Sequence, residues 1–180
     1  MTLNPDWTGY LPPSNLINIA ERSGVDLNPL NPCLAPDLLR LTAYLWADQP
    51  HRLALTKAAA ATINVEVEKG DATEWLETRL ANLHTGHLHL IQNSVAWQLF
   101  RNSVQARGLE LIEQAGARAT AETPLTRLLM EIDGDATGDA GAALTLRLWP
   151  GDITLYFVRV DFHGRWFDWR HTKYQLTQPL

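Results

Sequence analysis

A single cysteine, Cys33, stands in 180 residues, which excludes an intrachain disulfide framework. No stretch approaches the ~18 consecutive apolar residues of a membrane-spanning helix. The amino-terminal run MTLNPDWTGYLPPSN has neither the basic region nor the apolar core of a secretory leader. Clusters of positive charge are missing too: 15 Lys and Arg lie scattered against 20 Asp and Glu, for a formal net charge of -5. That distribution leaves no footprint for a phosphate backbone or an anionic membrane. Nor is there an internal repeat at solenoid period or a run of one charge sign. These absences lead to the expectation of a cytoplasmic protein with no nucleic-acid and no membrane partner.

What is present is enough apolar matter for one substantial core, at 46% hydrophobic residues, and the expectation is a single domain. Seven Trp is a high count, and Trp97, Trp149, Trp166 and Trp169 lie in the second half. Large rings of this kind anchor cores and interfaces.

The polar, proline-bearing residues 1–15 are expected to pack loosely at the surface. LINIAERSGVDL, Leu16 to Leu27, reads as a short strand interrupted by Arg22-Ser23-Gly24 and ending in an Asn-Pro turn. In APDLLRLTAYLW, Leu38, Leu41 and Leu45, with Leu39 beside them, follow helical spacing. ADQPHRLALTKAAAATI predicts a second helix with Asp48 as N-cap and Pro50 at its first position. INVEVEKGDATEWLETRLANL alternates Val65 and Val67 with Glu66 and Glu68 as a strand, then turns at Gly70-Asp71 into a helix carrying Trp75, Leu76, Leu80 and Leu83.

His87 to Gln92 reads as a buried strand opening on Asn93-Ser94. NSVQARGLELIEQAGARA is an amphipathic helix with Val104, Leu111, Ile112 and Ala115 inward, closed by Gly116 as a left-handed cap. LTRLLMEI is a further strand, and the Gly/Asp/Ala tract over 133–142 is a flexible loop by composition. The segments ALTLRLW, ITLYFVRVDF and RWFDWR alternate at period two across short turns, which predicts an antiparallel meander. The order of elements is that of an α/β protein: parallel strands with flanking helices, finished by antiparallel strands.

In an open parallel sheet the ligand sits beyond the carboxyl ends of the strands. The residues there are Asp26 and Asn28, then Asp71, then Asn93 and Ser94. One acid can take both ribose hydroxyls and the next can accept from an adenine amino group, the polar needs of an adenosine cofactor. Each acid also has a structural role open to it. DATE matches a capping box with Asp71 as N-cap, and DLNP suits an Asx-type turn around Asp26.

Three histidines, His84, His87 and His89, lie close together, but no accompanying pair at metal spacing supports a zinc site, and no metal is expected. Cys33 precedes a helix, where a dipole could activate it, yet filling space beside Pro32 explains it more simply. Ser94 lacks the G-x-S-x-G elbow of a nucleophilic serine. DFHGRW places His163 and Arg165 around a glycine turn, either as a site at the sheet end or as a polar hairpin tip.

Taken together, ERSGVDLNPLNP, LWADQPHRL, GDATEWL, NSVAWQ and FHGRWFDW resemble, in this order, the landmarks of the bacterial family called domain of unknown function 2332, from about Asp6 to Arg170. Members of that family look like distant relatives of class I S-adenosylmethionine-dependent methyltransferases. The resemblance implies a truncated Rossmann-like sheet, in which Asp26 falls at the ribose position, Asp71 near adenine, and Asn93 with Ser94 after the strand facing the transferred methyl. It also implies an upstream strand ending in a glycine-containing loop, placed between the strand ending at Asp26 and the one ending at Asn93. Two departures stand out: IQNSVAWQ lies where the family more often has a His before the Ser, and Ala47 stands where Pro is usual.

The sequence given contains no such loop, and that turn is what permits backbone approach to the cofactor's methionine moiety. S-adenosylmethionine is therefore expected only if the loop is supplied by other means. The first expectation is a methyltransferase-like domain inactive by itself. The second is half of a split or amino-terminally shortened methyltransferase, and the third a small-molecule binding protein using the tryptophan-rich carboxyl end. Either the flanking strands close up directly, or a second copy or an upstream-encoded partner completes the sheet.

Overall fold

The computed structural model describes residues 4–11, 15–63, 65–133 and 141–169. Most of the expected 133–142 loop lies outside the described residues. The chain divides into two compact units, one of residues 15–75 and one combining residues 4–11 with 76–169.

The first unit holds a two-stranded parallel sheet, β2 (Val25–Asp26) with β3 (Glu68–Lys69), and two helices, α1 (Ala35–Ala43) and α2 (Pro50–Ala60). Both helices begin with a proline in the first turn, where its missing N–H costs nothing. Gln49, not Asp48, occupies the N-cap of α2, and no side chain caps it. The Leu38, Leu41 and Leu45 stripe is half-covered, and Leu39 is exposed. None of the described residues of this unit is buried. Each strand is only two residues long, within the LINIAERSGVDL and INVEVEK segments expected to form strands, because little apolar surface is available to extend the ladder.

Helix α3 (Ala72–Leu80) follows, with Leu76 and Leu80 buried. The second unit is built on a six-stranded sheet in the order β1-β8-β7-β6-β5-β4. Strand β4 (His89–Ser94) runs parallel to β5 (Leu125–Glu131); β6 (Ala142–Trp149), β7 (Ile153–Val160) and β8 (Trp166–Trp169) form the expected antiparallel meander, which β5 extends by pairing antiparallel with β6. Strand β1 (Asp6–Gly9), in a segment expected to lie loosely, pairs parallel with β8 at the other edge. Trp7 fixes it by stacking on Phe167 and Trp169 at ring-centroid distances of 5.4 and 5.6 Å.

Helix α4 (Asn102–Arg118) covers one face of this sheet and buries Leu111, Ile112 and Ala115. Gly116 is not a left-handed cap. It is a buried interior position of α4, where an added Cβ would stand 2.5 Å from the Trp149 indole nitrogen. A glycine there lets the helix approach β6 closely. On the opposite face, Ala142 and Val160 are fully buried under Met130, Leu144, Phe167 and Trp169.

The fold is thus mixed α/β. Direct closure between the strand ending at Asp26 and the strand that carries Asn93 is not found: β2 and β4 belong to separate sheets. Strand β4 also differs from the buried strand expected. It begins two residues later, takes in Asn93 and Ser94, and lies at the sheet edge with alternate residues exposed.

Candidate functional site

In the first unit, Asp26 and Asp71 meet at the carboxyl end of the β2–β3 pair. The N–H of Gly70, next to Asp71, donates to the carbonyl of Asp26 at 3.1 Å, so parallel pairing brings the two acids to one end. Oδ1 of Asp26 accepts from the Asn28 amide at 2.7 Å, the Asx turn that DLNP allows. Turned toward Arg40, the Asn28 side-chain oxygen accepts from Nη1 and Nη2 at 3.1 and 3.3 Å.

Asp71 caps α3. Its Oδ1 accepts from the Thr73 hydroxyl at 2.6 Å, the Thr73 amide at 2.8 Å and the Glu74 amide at 3.3 Å. The Thr73 hydroxyl, then the two amides, hold its carboxyl below the usual carboxylate range. In both acids Oδ1 carries the local hydrogen bonds, and Oδ2 has none with other described residues. Each carboxylate can accept a further donor through Oδ2.

In the second unit, Asn93 is tied down and not open. Its Nδ2 donates to Oε1 of Glu131 at 2.8 Å, and the same oxygen accepts from the amides of Ala96 and Trp97 at 3.1 and 3.0 Å. Glu131, at the end of β5, therefore organises the turn after β4. That turn includes Val95 at a φ of 50°, costly for a β-branched residue and held by its N–H donating to Met130 at 2.8 Å. Sequence reading missed Glu131, although a lone acid closing the apolar strand LTRLLME was the available signal. Ser94 is exposed at the sheet edge.

Beneath this turn lies a second residue the sequence did not announce. Arg127 is buried at 6% exposure, and its Nε and Nη2 have no hydrogen-bond partner. Its guanidinium carbon stacks 4.1 Å from the Trp97 ring centroid. Desolvation, then the neighbouring Arg147, pushes it down to about 10. The nearby carboxylates are committed elsewhere: Glu131 to the turn, and Glu113 to Arg147, which also reaches Asp152 at 2.5 Å.

His163 and Arg165 form the β7–β8 hairpin tip around Asp161. The Asp161 carboxylate accepts from the His163 and Arg165 amides at 2.9 and 3.1 Å and from Arg165 Nε and Nη2 at 3.0 and 2.7 Å. Gly164, at φ 70°, closes the turn. The Arg165 guanidinium, helped by the two amides and opposed by burial, pulls the Asp161 carboxyl down to about 2 from 3.8. A depressed carboxylate stabilises the fold above its unfolded pKa and loses that contribution as pH falls through the folded one. Between about pH 4 and pH 2 the wild type should lose roughly 1–2 kcal/mol that Asp161→Asn never has, screening by the exposed Arg165 included. Urea titrations of both proteins at pH 2, 4 and 7 measure it; parallel pH profiles would contradict it.

The His84 ring lies 6.5 Å from His87 and 5.5 Å from His89, centroid to centroid. Among the described residues no three His, Cys, Asp or Glu side chains are grouped to hold a metal ion. Cys33 is exposed, its amide donating to Asn31 Oδ1 at 3.0 Å. Among the described residues no helix is long and apolar enough to cross a membrane.

Neither the curated proteins nor the solved structures contain a match to this chain. Residues 1–169 match the family described as uncharacterized protein conserved in bacteria (DUF2332), in keeping with the landmark motifs from ERSGVDLNPLNP to FHGRWFDW. With nearly the whole chain matched, the protein belongs to that family.

Proposed function

We propose that this chain is a methyltransferase-like domain whose β2–β3 end carries the adenosine-facing half of a cofactor site and which does not catalyse methyl transfer alone. The observation that carries this reading is the meeting of Asp26 and Asp71 at the carboxyl end of a parallel pair, each with one carboxylate oxygen uncommitted. Asp26 would accept from the ribose hydroxyls and Asp71 from the adenine amino group, while Asn28 steadies the Asp26 turn. Capping and ligand binding do not compete at Asp71, because they use different oxygens.

Methyl transfer to an acceptor that is already nucleophilic needs no ionised group from the protein; holding the sulfonium and acceptor in line supplies much of the catalysis. In this reading the methionine-side loop comes from another polypeptide segment, and the whole assembly is the methyltransferase. Asn93, held by Glu131, acts as a positioning residue for the turn after β4, with Ser94 beside it. The test is titration of the isolated chain with S-adenosylmethionine: binding should be weak or undetectable, and low-micromolar affinity by calorimetry would overturn the proposal.

A further inference from the structure

The outer edge of β4, beside which the resemblance would place the upstream strand, has no pairing strand among the described residues. In a parallel ladder alternate residues bond to one neighbour, and here the odd ones face β5: His89 N–H donates to Pro124 at 2.9 Å and Val95 N–H to Met130 at 2.8 Å. The N–H and C=O groups of Leu90, Gln92 and Ser94 therefore face the open side, where no strand pairs with them among the described residues. Leu88 and Leu90 are 57% and 51% exposed beside this row.

Sheet edges are ordinarily protected by charge, proline or a bulge. Strand β4 has none of these: its register with β5 is unbroken, and no Asp, Glu, Lys or Arg occurs between Arg79 and Arg101. A neutral edge meets no repulsion from its own copy, and six residues are enough for a ladder.

We infer that the isolated chain forms a two-fold dimer by antiparallel pairing of β4 with β4 of a second copy. A two-fold axis at Gln92 places Gln92 opposite Gln92 of the partner subunit and Leu90 opposite Ser94 of the partner subunit. Every outward N–H and C=O of Leu90, Gln92 and Ser94 then finds a partner, and the two sheets join into one. This inference does not depend on adenosine binding. The contact is small, so the dimer should dissociate on dilution.

Analytical ultracentrifugation of the full chain from about 1 to 300 μM, the range of weak interfaces, tests it. The expected result is a concentration-dependent rise from 20.2 kDa toward twice that mass. Gln92→Lys and Gln92→Glu each place like charges directly across the axis and should weaken the dimer about five-fold or more. An equal mixture of the two variants should restore it, because unlike charges then face each other. Gln92 is exposed and its N–H faces away from β5, so unchanged circular dichroism and urea midpoints should show that both variants fold. A monomer throughout the range, or a dimer indifferent to both variants, would overturn the inference. So would variants that dissociate without rescue on mixing.

Discussion

Backbone amides in α4, β5 and β6 should exchange with solvent at least about a thousandfold more slowly than those in α1 and α2, a difference of about 4 kcal/mol in opening free energy. The contrast follows from burial. Ile112, Leu125, Ala142 and Val160 are fully buried in the second unit, whereas no described residue of the first unit is. Opening the second unit exposes a core; opening α1 or α2 exposes side chains that already meet water. Leu16, Ile17, Leu27, Leu39 and Trp46 are all exposed in the first unit, so its helices gain little beyond their own hydrogen bonds. Hydrogen–deuterium exchange read by mass spectrometry measures the ratio. Equal protection of α1, α2 and α4 would mean that something in solution covers those apolar residues.

Replacing Arg127 by Met should stabilise the protein, by roughly 1–3 kcal/mol. A buried guanidinium without a partner for Nε and Nη2 carries a desolvation cost that its neighbours do not return. Stacking on Trp97 recovers part of it, about 0.5–2 kcal/mol, and Met keeps a flexible apolar stem in contact with the same ring. For a chain of this size the change corresponds to a rise in Tm of roughly 3–10 °C. Urea unfolding should show a higher midpoint at unchanged m. Destabilisation by more than about 1 kcal/mol would instead mean that the charge is satisfied, as by ordered water.

Helical spacing was the most legible signal. Leu76 and Leu80, and then Leu111, Ile112 and Ala115, lie inward as their periodicity predicts, and the alternation of ALTLRLW and ITLYFVRV predicts β6 and β7. These patterns are local and need no knowledge of a neighbour. Strand β1 was illegible because Asp6–Gly9 becomes a strand only through Phe167 and Trp169, far along the chain. The limits of β4 were misjudged because HLHLIQNS alternates without a natural stop, and pairing with β5 decides where it begins. Gly116 reads as a cap in isolation; only the Trp149 indole pressed against it shows why a helix interior requires glycine there.

The candidate site divides the same way. Asp71 as a cap and Asp26 in an Asx turn were readable from DATE and DLNP, since both interactions span only a few residues. Their meeting across β2 and β3 required the parallel pairing itself. Glu131 and Arg127 were not foreseen, because their roles depend on Asn93, Ala96 and Trp97, thirty or more residues away in sequence.

The central claim is that adenosine, and not the methionine portion of the cofactor, has its contacts on this chain. Amide NMR of Asn28, Thr73 and Glu74 reports it directly, since these N–H groups donate to the Asp26 and Asp71 carboxylates. Adenosine and S-adenosylmethionine should each shift these resonances with the same weak affinity, about 1 mM or weaker, and Asp26→Ala should remove the response. Absence of any shift at these amides, or S-adenosylmethionine binding far tighter than adenosine, would contradict the account.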